Sequence, residues 1–375
     1  MTTLTASANT QLDQLLEEIC LTLTLTETQY NLAKERYQAI GKWLSQPSSA
    51  LYLFRPEIYP QGSVRLQTTV KPIARLEYDL DLVCLLQLHP GLYQEPMIVY
   101  AMVEERLKAN GLYSNKTERY KRCLRINYAN EFHLDITPAC PDPRIGCPYI
   151  LVPDRKIQQW KPSNPIGYAA WFDQQSYCLT EAFAAKQVEP LPPNEPAHRK
   201  KPLRRVVQLL KRHRDVVFQG DEDAPRSIVL TTLAAQHYDG QRCITDALVG
   251  VLDNIVLSIE STPGMLAIPN PANPAEKFCE AWANNPDAYQ KFVDFLYALQ
   301  RRFRKLLGQT GLANIADSLQ ILFGESVTIK AIETYTDRMN HERKRQQVHF
   351  KPPVVGLTTA TSGTRPVPKN TFYGK

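Results

Sequence analysis

The chain has 375 residues, 43% of them hydrophobic, and a formal net charge of +6. That is ample for a core in one large or two intimately packed domains, and no run approaches the ~20 apolar residues of a membrane span. Residues 338–375 hold eight Lys or Arg against one acid, Glu342, so residues 1–337 sum to −1, which argues against a broad nonspecific duplex-binding surface.

Residues 10–46 are predicted to form two helices. Leu12, Leu15, Leu16 and Ile19 recur at helical spacing in the first, and Thr26 with Gln29 three residues on is a capping pair for the second, which ends near Gly41 to Leu44. Gln61-Gly62-Ser63 then interrupts an apolar stretch. Glycine lets a backbone approach a phosphate without a Cβ clash and supplies positive φ. A following serine with turn N–H groups suits an anion, and Thr68 and Thr69 add hydroxyls.

A strand is predicted over 77–87. Side chains i and i+2 share a strand face, so Asp79 and Asp81 project together while Leu80 and Leu82 point into a core. Two carboxylates so close repel unless a cation lies between them. Mg²⁺ suits them, taking hard oxygen ligands and keeping substrate phosphates in its shell. A helix follows at 95–109, then a hairpin of 122–128 and 131–137 turning at Ala129-Asn130. Asp135 lies in its second strand. If that strand neighbours the first, the third carboxylate completes a two-metal cluster. His133 shares the face of Asp135 and lines the site without serving as a base, and Glu77 shares the parity of Asp79.

Pro-rich 138–166 reads as loop covering one side of a cleft, 167–186 as a helix whose Trp171, Phe172 and Tyr177 are core, and 188–202 as another Pro-rich loop. Helices are expected at 203–218, 227–239, 243–259, 275–284, 286–308, 311–322 and 325–336, with a flexible basic tail from about 340. The eight cysteines contain no Cys-x-x-Cys pair, and free thiols in a reducing cytoplasm are expected, with zinc at Cys140 and Cys147 the alternative. The organisation expected is α+β, a small mixed sheet with helices over 1–165, a helical lobe over 166–337 and a tail over 338–375, with the site between the lobes.

These residues resemble the polymerase-β-like nucleotidyltransferases, and among them the bacterial cyclic-oligonucleotide synthases related to cyclic GMP-AMP synthase and oligoadenylate synthetase. The resemblance is carried by Tyr59 to Pro72, Glu77 to Val83, Phe132 to Ala139, Val206 to Arg214, Ala224 to Leu230 and Asn270 to Pro274. It implies a polymerase-β-like core with a helical second lobe and an enzyme that joins ATP, GTP or other NTPs into a cyclic di- or trinucleotide for antiphage defence. Asp79, Asp81 and Asp135 would bind two Mg²⁺ ions, with Mn²⁺ a substitute. Gln61, Gly62, Ser63, Lys211 and Ser227 would hold the triphosphate. Gln67 is a departure, where many relatives have Gly before the Thr. Phe372 and Tyr373 mark the tail at Pro368 to Lys375 as a docking peptide, and the resemblance implies, as for some members, a C-terminus that a ubiquitin-transfer-like partner conjugates to a target, although Lys375 departs from a bare terminal Gly. Neither a membrane nor a nucleic-acid substrate is expected. An RNA-terminal or protein-modifying nucleotidyltransferase, or a noncatalytic nucleotide sensor, are the alternatives.

Overall fold

The computed structural model describes residues 10–71, 78–88, 92, 94–128, 132–176, 187–195, 199–345, 349–350, 357–358 and 365–366. Glu77, the Ala129-Asn130 turn, Tyr177 and the peptide at 368–375 lie outside the described residues.

Apolar periodicity builds two cores. The first lies on one face of a mixed sheet. Its strands are β1 (Glu57–Pro60), β2 (Tyr78–Leu85), β3 (Thr117–Arg119), β4 (Leu124–Tyr128) and β5 (Phe132–Pro141), in the order β1-β2-β5-β4-β3. Every neighbouring pair is antiparallel except β2 and β5, which run parallel. Leu80, Leu82 and Cys84 of β2 point to this core, where α2 (Glu27–Ser45) and α4 (Pro96–Lys108) cover them. The cap of α2 forms as the sequence predicts: Gln29 N donates to Thr26 Oγ1 at 3.2 Å, and Thr26 N donates to Gln29 Oε1 at 3.0 Å.

The second core is helical. It gathers α5 (Pro165–Gln175), α6 (Pro202–Phe218), α7 (Ser227–Gln236), α8 (Ile244–Ser261), α9 (Pro286–Leu307), α10 (Leu312–Phe323) and α11 (Glu325–Lys344). It also takes α1 (Thr10–Leu23), whose Leu12, Leu15, Leu16 and Ile19 pack here rather than on the sheet. The first helix therefore belongs with the second lobe by packing, although it precedes the sheet in sequence.

Three segments differ from the sequence expectation. About half of the expected loop at 138–166 is strand: β5 runs on to Pro141, and β6 (Ile150–Asp154) and β7 (Gln159–Ser163) extend the sheet. Its prolines fall where strand pairing tolerates them, and Ile150, Leu151 and Val152 are buried. The expected helix at 275–284 is instead β9 (Asn273–Lys277), paired with β8 (Pro269–Asn270), then a short 3₁₀ turn over Glu280–Asn284. Glu276 accepts from Asn270 Nδ2 at 2.7 Å and Ser163 Oγ at 3.1 Å, tying β9 to the sheet. Finally, α11 continues to Lys344, past the expected end at 336. Met339 is buried and Arg338 Nη1 lies 2.7 Å from Glu18 Oε1, so packing on α1 extends the helix beyond its apolar period. Beyond it, His349–Phe350 pairs with Leu357–Thr358 and with Arg365–Pro366. No helix among the described residues is long and apolar enough to cross a membrane.

Candidate active site

Parallel pairing of β2 with β5 sets Asp81 opposite Asp135 and Asp79 opposite His133. The two acid-bearing strands are therefore neighbours. Asp79 is exposed, Asp81 is recessed, and Asp135 is 8% exposed. Loss of water pushes the Asp81 carboxyl up to about 8, with Asp135 and Asp79 adding repulsion. The half-exposed Asp79 carboxyl is raised too, first by partial loss of water in the cleft, while Arg125 opposes the shift.

Arg125 is the residue that sequence reasoning missed. It stands opposite Asp135 across the β4–β5 pair. Its Nε donates to Asp135 Oδ1 at 2.7 Å, and its Nη2 donates to Asp135 Oδ2 at 2.7 Å and to Asp79 Oδ1 at 3.0 Å. In the sequence Arg125 closes a basic cluster of Lys116, Arg119, Lys121 and Arg122, with nothing to single it out. Register alone puts it on the acids, and register depends on a turn length that composition does not give.

Gly62 is required for two reasons. Its φ is +62°, and a Cβ there would lie 2.3 Å from Asp81 Oδ2. The backbone thus passes directly over the carboxylate and into the short helix α3 (Gly62–Arg65), leaving Ser63 on the cleft wall. Ser63 Oγ accepts from Thr69 Oγ1 at 3.3 Å. Gln61 does not line the cleft: its Nε2 donates to Thr137 Oγ1 at 3.0 Å, and its backbone N donates to Asp81 O at 2.9 Å. It fastens the turn to the sheet rather than facing a nucleotide. Gln67 has φ +58°, the left-handed region that glycine favours, so the backbone keeps the glycine conformation without the glycine. Its side chain bonds Pro193 O at 3.1 Å and Glu195 N at 3.2 Å, which offsets the strain.

The opposite wall is α6 and α7. Lys211 Nζ donates to Thr68 Oγ1 at 3.0 Å and to Thr68 O at 3.2 Å. Burial, then the neighbouring Arg214, lowers its ammonium to about 7, with Asp81 opposing. Arg214 Nη1 donates to Ser227 Oγ at 2.7 Å, and its Nε donates to Asp215 Oδ1 at 2.8 Å. Ser63, Asp79, Asp81, His133, Lys211, Arg214 and Ser227 all line one cleft of about 1040 Å³. Behind it, buried Asp173 ties the lobes, lying 3.1 Å from Arg65 Nη1 of the Gly-Ser turn and 2.9 Å from Arg204 Nη2 of α6.

The donors of Asp79, Asp81 and Asp135 are all hard oxygens, and their mutual repulsion calls for a cation, so their chemistry fits Mg²⁺ or Mn²⁺. With Arg125 seated on two of them, no group of three acids, His or Cys among the described residues converges to ligand distance. The seven cysteines among the described residues are free thiols; Cys140 is buried and Cys147 exposed.

Acids at the end of a small mixed sheet, facing cations on a helical lobe across a nucleotide-sized cleft, define a nucleotidyltransferase. Residues 7–176 match the Second Messenger Oligonucleotide or Dinucleotide Synthetase domain, and a c-di-GMP synthase of Roseivirga ehrenbergii is 35% identical over 379 residues, covering 99% of each chain. The chain belongs to this family of cyclic dinucleotide synthases. The cyclic dinucleotide synthase CdnG of Bradyrhizobium diazoefficiens is 25% identical over 385 residues, covering 93% of this chain and 91% of the relative. The fold is similar to that of Bradyrhizobium diazoefficiens CdnG in complex with GTP, with TM-score 0.70 at 24% identity, covering 87% of this chain and 99% of that one. It is also similar to Vibrio cholerae DncV, a cyclic AMP-GMP synthase, with TM-score 0.58 at 14% identity, covering 82% and 93%.

Proposed function

We propose that this synthase condenses two GTP molecules into cyclic di-GMP with release of two pyrophosphates. The carrying observation is the register of Asp81 with Asp135, with Asp81 lining a cleft whose other wall includes Lys211 and Arg214. The name of the 35% identical relative, a c-di-GMP synthase, favours guanine.

Asp79, Asp81 and Asp135 would hold two Mg²⁺ ions, or Mn²⁺ in their place, supplying charge neutralisation at the phosphates and a more acidic attacking hydroxyl. The chain's own side chains do the rest. Lys211, Ser63 and Ser227 hold the triphosphate, and Arg214 adds a second cation beside Ser227. A ribose hydroxyl of one nucleotide attacks the α-phosphate of the other. A P–O bond to that hydroxyl forms, the bond to the β-phosphate breaks, and pyrophosphate leaves. Asp135 would help take the hydroxyl proton. The linear product turns over in the cleft and the reaction repeats to close the ring. The product would serve as a second messenger in antiphage defence, tested by plaque counts with and without the three acids in an expressing strain.

The direct test is incubation with each NTP and with all four, with Mg²⁺ or Mn²⁺, read by mass spectrometry after phosphatase treatment. A phosphatase-resistant cyclic di-GMP mass from GTP alone is expected. A product requiring ATP would replace GTP as the sole substrate. Label from NTP running with added RNA would move the reading to an RNA-terminal transferase.

A further inference from the structure

The acid cluster already contains a cation. Arg125 grips both oxygens of Asp135 at 2.7 Å and reaches Asp79 at 3.0 Å. Its guanidinium also stacks 4.5 Å from the ring centroid of Tyr120, which holds it from the other side. The side chain is only 17% exposed. Asp81, by comparison, makes no side-chain hydrogen bond or salt bridge among the described residues, although it is recessed and repelled by its two neighbours.

One acid is left open, and two are bound by a permanent monovalent cation. A planar guanidinium satisfies a carboxylate in two-pronged fashion and cannot be deprotonated. A divalent ion taking an oxygen of Asp135 or Asp79 therefore meets competition for the same lone pairs, and a like charge a few ångströms away.

We infer that Arg125 is a built-in competitor for the divalent cation. It neutralises Asp79 and Asp135 in the metal-free enzyme and is released from Asp79 as metal enters, with Asp81 as the first point of attachment. The inference rests on the metal-site reading proposed above. Its consequence is that Arg125 weakens binding of a bare metal ion, so that entry favours an ion arriving with a triphosphate, whose negative charge draws the guanidinium away.

The test is Mn²⁺ titration of the full chain without nucleotide, with free Mn²⁺ followed by electron paramagnetic resonance. Arg125→Gln is expected to bind Mn²⁺ about tenfold more tightly than the unsubstituted protein. Tyr120→Leu, which leaves every charge in place but removes the stack, is expected to tighten binding by a smaller factor. Thermal unfolding gives a second readout. Mn²⁺ should raise the melting temperature of Arg125→Gln more than that of the unsubstituted protein, and recovery of a poorly folded Arg125→Gln chain by Mn²⁺ would support the same conclusion. Equal or weaker Mn²⁺ affinity in both variants overturns the competition while leaving the metal site intact. Mn²⁺ binding unchanged by Asp79→Asn with Asp81→Asn overturns the metal-site reading and this inference together.

Discussion

Asp81 and Asp135 are direct partners in the parallel pairing of β2 with β5, so two carboxylates face each other across one inter-strand spacing. Neighbouring strands lie about 4.8 Å apart, close enough for mutual repulsion to reach Asp81, whose carboxyl is pushed up to about 8 by burial and then by Asp135 and Asp79. The folded-state value lies above the unfolded one, so the ionised group opposes folding. The opposition is absent at pH below about 4 and complete above pH 8. In EDTA, Asp81→Asn should therefore be more stable than the unsubstituted protein at pH 8 to 9, by roughly 2 kcal/mol. The difference should vanish near pH 4, while synthesis is lost at every pH. Urea unfolding across that range checks it, and a destabilised Asn variant at pH 9 would contradict the electrostatic reading.

Lys211 supplies a second pH signature. Its ammonium is lowered to about 7, first by burial and then by Arg214. A bound triphosphate brings negative charge and favours the protonated form. Binding of a nonhydrolysable GTP analogue at pH 8 should then take up protons, approaching one per site. Calorimetry in two buffers of different ionisation enthalpy reads this directly. Lys211→Met should remove the buffer dependence, and its persistence would place the proton elsewhere.

Gly62 cannot accept a side chain in place. A methyl group there would meet Asp81 Oδ2 at 2.3 Å, at a φ of +62° that L residues rarely adopt. Gly62→Ala should lose ~1–3 kcal/mol of stability. Nucleotide affinity and turnover should fall with it, because the turn must back away from the acids. Unchanged nucleotide affinity in this variant would mean that the Gly-Ser turn does not carry the triphosphate.

Asp173 tests the joint between the lobes. It is 1% exposed and sits between Arg65 and Arg204. Asp173→Ala leaves a buried guanidinium with fewer partners and should destabilise by about 3 kcal/mol. Glu195, 2.7 Å from Arg204, limits the loss. Asp173→Asn should lose less. An alanine variant within ~0.5 kcal/mol of the unsubstituted protein would show that the network adds nothing net.

Much of this site is readable from local pattern. Alternation puts Asp79 and Asp81 on one face, and Gly-Ser with Thr68 marks the turn. What is not readable is whatever depends on register or on distant packing. Arg125 looks like any member of a basic cluster until β4 is laid against β5. Gln61 looks like part of the phosphate turn, yet its amide is spent on Thr137. The apolar period of α11 fades after residue 336, but Met339 and Arg338 find α1 from the other end of the chain and carry the helix to Lys344. Pro-rich composition suggested loop at 138–166, where pairing of β6 with β5 and β7 outweighs local propensity.

The trio of acids is best interrogated by diffraction from crystals soaked with Mn²⁺ and a nonhydrolysable GTP analogue, using the anomalous signal to locate the ions. Two peaks are expected within ~2.2 Å of carboxylate oxygens, with Asp79, Asp81 and Asp135 all ligating and Arg125 turned away from Asp79. Ordered nucleotide with manganese held anywhere other than on these three side chains would contradict the assignment.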